Sequence, residues 1–190
     1  PKYRMYVLER TVYDNTKALI DFRQGSAEVD STLGDNASEL LRVRRCIDDV
    51  QGREDLELDS LVIVASCSPE GSYSSNRKLS AARSEAVRKY IGDYVPAEWR
   101  DILKASELPE NWFQLETLVR NDTLIDDASR RKLLKIIGDR DDPDLAERRL
   151  SMTAEYRYLR ERLYPQLRSV RFDFFMHMTG MQKDTVHTTE

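Results

Sequence analysis

Residues 61–91 constrain the fold more than any other stretch: LVIVASCSPEGSYSSNRKLSAARSEAVRKYI. Residues 61–65 form an unbroken apolar run, the pattern of a strand buried on both faces. Residues 66–75 are polar, with Pro69 and Gly71 as turn residues. Leu79, Ala82, Ala86, Val87, Tyr90 and Ile91 then recur at the spacing of an amphipathic helix. A buried strand, a polar loop and a helix N-terminus together form the kind of place where α/β proteins bind ligands. A site is therefore expected here.

Arg83 stands four residues after Leu79 and four before Val87, on the line of the apolar stripe. Long side chains on a helix lean toward its N-terminus, which aims the guanidinium at the loop containing Ser66, Ser68 and Glu70. A cation beside a polar loop suits a carboxylate or a phosphate. The same direction also lets Arg83 bond loop carbonyls or an internal Asp and bind no ligand. Cys67 lies in the loop without a flanking His, so a small, half-buried thiol is expected rather than a nucleophile.

Gly71, Ser72, Asn76, Leu79, Ser80 and Arg83 after an apolar strand spell G-S-x-x-x-N-x-x-L-S-x-x-R. This pattern resembles the OmpA-like domain, a periplasmic peptidoglycan-binding module with a mixed β/α fold. The family loop reads Thr-Asp-x-x-Gly, and its Asp and Arg hold the diaminopimelate end of the peptidoglycan stem peptide. Arg83 and Asn76 match. Ser68 stands at the Asp position and Cys67 at the Thr position, and Glu70 offers a carboxylate from a shifted place. The resemblance implies ligand-binding residues Ser66, Ser68, Glu70, Asn76 and Arg83. It also implies a cell-envelope location, on the periplasmic side of the outer membrane of a Gram-negative bacterium.

The resemblance implies one domain of the α/β class, an α+β sandwich with a β-α-β-α-β core and a mixed sheet, to which this chain adds a helical insertion and a closing strand. Residues 3–13, rich in aromatic and β-branched types, read as an additional N-terminal strand. A second strand is expected over 17–23, where Ile20-Asp21-Phe22 resembles the family's first strand. Asp35 or Asn36 caps a helix to about Val50, with Leu40, Val43 and Ile47 on its buried stripe. Arg42, Arg44 and Arg45 read as its solvated face. A short strand over 102–105 completes the first part of the core, which spans about 17–106 and resumes over 165–178. Residues 107–164 form a largely helical insertion, with Gly138 as a C-cap and Asp142-Pro143 starting a further helix. Val170, Phe172, Phe174, Met176 and Met178 alternate with mostly polar residues, which predicts the closing strand. Residues 179–190 form a polar tail.

Several functions are disfavoured. A hydrophobic content of 40% and a net charge of −4 describe a globular chain with no call for nucleic acid. No apolar run approaches the ~20 residues of a membrane helix. The chain opens at Pro1 without a leader and reads as a mature or excised piece. The acidic run from Asp139 to Asp144 lacks the Gly and Glu of a calcium loop, and its two His and two Cys lack metal-site spacing. With no nucleophile elbow, phosphate loop or dinucleotide fingerprint, the chain is expected to be a non-catalytic structural module without cofactor. The expected partner is the peptidoglycan stem peptide. The alternative is a fold that has lost this ligand and works as a scaffold, docking an envelope protein at residues 107–164 through Trp112, Phe113 or Tyr156.

Overall fold

In the computed structural model, which describes residues 3–4, 11–23, 25–179 and 188–189, β1 (Tyr3–Arg4) is followed by β2 (Thr11–Ala18). Of the strand predicted over 17–23, only Lys17 and Ala18 lie in one, at the end of β2. β2 pairs with the closing strand from Thr11 to Ala18, and the chain then leaves the sheet. The cause lies in the first helix: Glu39 accepts the Leu19 N–H at 3.0 Å and the Asn36 side chain accepts the Asp21 N–H at 2.7 Å. Side chains thus take the backbone donors that a longer strand would have used. Of the strand expected over 3–13, residues 5–10 lie outside the described residues.

Helix α1 (Asn36–Gln51) buries Leu40, Val43 and Ile47 as the periodicity predicts. Its arginines do more than face solvent, for the Arg44 guanidinium lies 4.7 Å from the centroid of the Tyr94 ring and 5.6 Å from that of Tyr90. The apolar run belongs to a longer strand, β3 (Leu56–Ser66), and α2 (Tyr73–Gly92) begins after Ser72, whose Oγ accepts the Ser75 N–H. A 3₁₀ turn (Ala97–Ile102) leads into β4 (Leu103–Leu108), parallel to β3 at the sheet edge.

Three helices follow, α3 (Trp112–Asn121), α4 (Asp127–Gly138) and α5 (Pro143–Ser151). Gly138 ends α4 as its last residue, and Asp139 occupies the cap position. Asp142 caps α5 by accepting the Leu145 N–H, as its spacing before Pro143 predicts. The last helical stretch runs through α6 (Tyr156–Tyr158), a wide π turn (Leu159–Leu163) and α7 (Tyr164–Leu167). Pro165 therefore lies in a helix and not in the predicted strand over 165–178. It sits in the first turn of α7, where a missing N–H costs no hydrogen bond, and the Tyr164 N–H reaches back to the Leu159 carbonyl.

The closing strand, β5 (Val170–Met178), runs antiparallel to both β2 and β3, giving the order β2-β5-β3-β4 in a mixed sheet. β6 (Thr188–Thr189) pairs with β1. The fold is an α+β sandwich. Val170, Phe172, Phe174 and Met176 face one way and join Ile63, Val87 and Ile91 in one core. The inserted helices close a second core around Leu115, Leu133, Leu150 and Tyr164. No helix among the described residues is long and apolar enough to cross a membrane.

Candidate functional site

The two cores meet where β3 gives way to α2, and there the loop is held by an amide. Asn76, in the first turn of α2 and buried, donates from Nδ2 to the Ser68 carbonyl at 3.2 Å, the Glu70 carbonyl at 3.0 Å and Glu110 Oε1 at 2.8 Å. Gly71, at φ +87°, supplies the left-handed turn that folds the loop back over this side chain. Glu110 in turn accepts the Trp112 indole N–H at 2.8 Å. Burial pushes the Glu110 carboxyl above the usual carboxylate range, although the two hydrogen bonds pull the other way.

Behind the loop lies Arg83, only 9% exposed. Its Nε donates to the Ser26 carbonyl at 3.2 Å, and its guanidinium covers the Phe22 ring, 4.6 Å from the centroid. Among the described residues it has no carboxylate within ion-pair distance and no second oxygen acceptor. Burial lowers its pKa from the ordinary arginine value, and the neighbouring Cys67 sulfur opposes that shift. Burial likewise pushes the Cys67 thiol up, although the Arg83 guanidinium pulls the other way.

A second guanidinium comes from the far side. Arg168, just before β5, pairs with Glu70 Oε2 and donates from Nε to the Ser68 hydroxyl at 3.2 Å. The Ser68 hydroxyl donates to Glu70 at 3.1 Å, and Arg160 bonds Glu70 Oε1 at 2.8 Å. Burial alone would raise the Glu70 carboxyl, but Arg160, Arg168 and Ser68 together hold it below the usual carboxylate range. Between Arg83 and Arg168 opens a cavity of about 490 Å³, walled also by Ser68, Asn76, Phe22 and Leu79. A second cavity of about 510 Å³ adjoins it, sharing Glu70 and Arg168 and adding Tyr156 and Arg160. Tyr156 is fixed from below: its hydroxyl donates at 2.5 Å to Glu147, which also accepts the Tyr164 hydroxyl at 2.6 Å.

Four of the five residues expected at the site, Ser68, Glu70, Asn76 and Arg83, line this cavity. Ser66 does not. Its hydroxyl donates to the Leu167 carbonyl at 2.6 Å and its N–H to the Ser169 carbonyl at 2.9 Å, so it ties β3 to the start of β5. Asn76 serves the loop rather than the cavity's contents. Arg83 bonds a carbonyl as the alternative allowed, but one from the loop before α1 and not from its own. Of the aromatic residues expected as docking anchors, Trp112 is buried against Glu110 and Tyr156 is bound to Glu147, whereas Phe113 is 75% exposed. Arg168 and Phe22 were not expected in the site. The sequence put Phe22 in the strand expected over 17–23 and Arg168 in the one expected over 165–178, and neither was read as a site residue. The arrangement pairs one unneutralised, planar cation with apolar walls and suits an anionic group. Comparison of the sequence with protein-family models and with curated proteins finds no match.

Proposed function

We propose that the chain is a non-catalytic cell-envelope module of the OmpA-like type, which anchors a surface or outer-membrane protein by holding a peptide carboxylate of peptidoglycan. The observation that carries this reading is Arg83: a buried guanidinium at a cavity wall, with no carboxylate partner among the described residues. A buried charge without a counter-ion is costly, and an incoming carboxylate removes that cost while gaining two parallel hydrogen bonds. The order strand-helix-strand-helix-strand with a closing antiparallel strand accords with the same family.

The test is sedimentation of the protein with purified peptidoglycan, and titration with a diaminopimelate muropeptide, for wild type and Arg83→Ala. Saturable binding that is lost in the variant, with the circular dichroism spectrum unchanged, is the expected result. No binding by wild type at millimolar muropeptide would overturn the proposal.

A further inference from the structure

The charges around the cavity say more than that it takes an anion. We infer that it accepts a carboxylate whose neighbouring nitrogen is acylated, and disfavours the same group carrying a free ammonium. This inference rests on the carboxylate reading above and names which peptides that site holds.

An ammonium needs an acceptor with negative charge to spare. Among the described residues, two carboxylates bond to side chains that line the cavity. Glu70 is spent, since Oε1 accepts from Arg160, and Oε2 accepts from both Arg168 and the Ser68 hydroxyl. An ammonium could reach it only by displacing a guanidinium. Glu110 is closed off, one oxygen held by Asn76 and the other by the Trp112 indole, and its raised pKa makes it a poorer anion still. Against these carboxylates stand Arg83 and Arg168 in the same cavity wall. A free ammonium brought in beside the bound carboxylate would therefore meet like charge and, among the described residues, no free counter-charge.

An acylated nitrogen meets neither obstacle. Its N–H is neutral and needs a single acceptor, which the remaining lone pair of the Ser68 hydroxyl supplies. Its acyl carbons can pack on Phe22 and Leu79. In chemical terms the preferred ligand is a peptide carboxylate whose amine is already engaged in an amide, as in joined rather than free stem peptides.

Two small probes separate these outcomes: meso-diaminopimelate and its N,N′-diacetyl derivative, each titrated into the isotope-labelled protein and followed by amide chemical shifts. Wild type is expected to bind the diacetyl compound more tightly by about fivefold or more, about 1 kcal/mol by the affinity arithmetic, and Arg83→Ala to lose both. Ser68→Asp, which adds a carboxylate beside Arg168, is expected to narrow or reverse the preference. The wild-type comparison decides the matter even if that variant does not fold. Equal or tighter binding of the free diamine by wild type would overturn this inference and leave the carboxylate site standing. Binding of neither probe would overturn both.

Discussion

The Arg83 guanidinium lies over the Phe22 ring, 4.6 Å from the centroid, while its Nε donates to the Ser26 carbonyl, so two contacts hold the cation in place before any ligand arrives. A lysine has no planar fork and offers a point charge. Arg83→Lys is expected to weaken muropeptide binding by about tenfold or more, since one bidentate pair is replaced by single contacts. Isothermal titration checks this, and an unchanged affinity would mean that charge alone matters at this position. Phe22→Leu keeps apolar bulk but removes the cation–π contact, with an expected loss of about 1 kcal/mol in stability, read from urea unfolding.

Asn76 has the larger structural role. Its amide supplies donors to two loop carbonyls and to the buried Glu110. Asn76→Ala leaves all three acceptors without it, and a loss of about 2–4 kcal/mol is expected from unsatisfied buried groups. Asn76→Asp should be worse, because it sets a carboxylate against Glu110 and two carbonyls. Chemical denaturation of both variants would expose a wrong assignment if the Asp form proved the more stable.

Glu147 gives a pH signature. Burial pushes its carboxyl above the usual range despite two tyrosine hydroxyls donating to it. A carboxyl with a raised folded-state pKa binds its proton more tightly in the native state. Its contribution to stability is full below the unfolded pKa of about 4.3 and is lost as pH rises through the native value. Glu147→Gln carries no such proton, so its melting temperature is expected to gain on wild type as pH rises from about 4 through the native value. Thermal melts across that range check the sign, and parallel curves would show that Glu147 does not titrate there.

Glu70 lies in the more exposed half of the network, and its ion pairs with Arg160 and Arg168 are expected to add little, about 1 kcal/mol or less. Glu70→Gln should therefore melt close to wild type. It also frees both guanidiniums, so binding of a dicarboxylate should tighten several-fold at low salt and return toward wild type as salt screens the charges. Titrations at two ionic strengths give the result, and weaker binding by the variant would show that Glu70 helps to hold the ligand.

The parts of this fold that could be read from sequence are those whose pattern is local. Leu79, Val87 and Ile91 mark a helix by spacing, and Val170, Phe172, Phe174 and Met176 mark a strand by alternation, whatever they pack against. Phe22 shows the limit. Ile20-Asp21-Phe22 alternates as a strand should, yet Asn36 and Glu39 take the backbone donors of Asp21 and Leu19, and no pattern within 17–23 records that competition. Arg83 was legible as a site residue because helical geometry gives its direction. Arg168 was not, since its meeting with Glu70 depends on a contact across 98 positions of sequence. Trp112 was one of three aromatic docking candidates in the helical segment, and its indole turns inward to the buried Glu110.

β5 lies between β2 and β3 although the chain reaches it after every inserted helix. The backbone bond from Ser66 to Ser169 closes a loop of 103 positions. Closing a loop of that length carries a large entropy cost before any contact repays it, which slows assembly. The inserted helices rely on contacts near in sequence and can form early, whereas β2 and β3 have no strand between them until β5 arrives. Arg168 is separated from β5 by Ser169 alone, so the cavity gains its second guanidinium only at that closing step. The complete cavity, lined by both Arg83 and Arg168, therefore exists only in chains whose sheet is already closed.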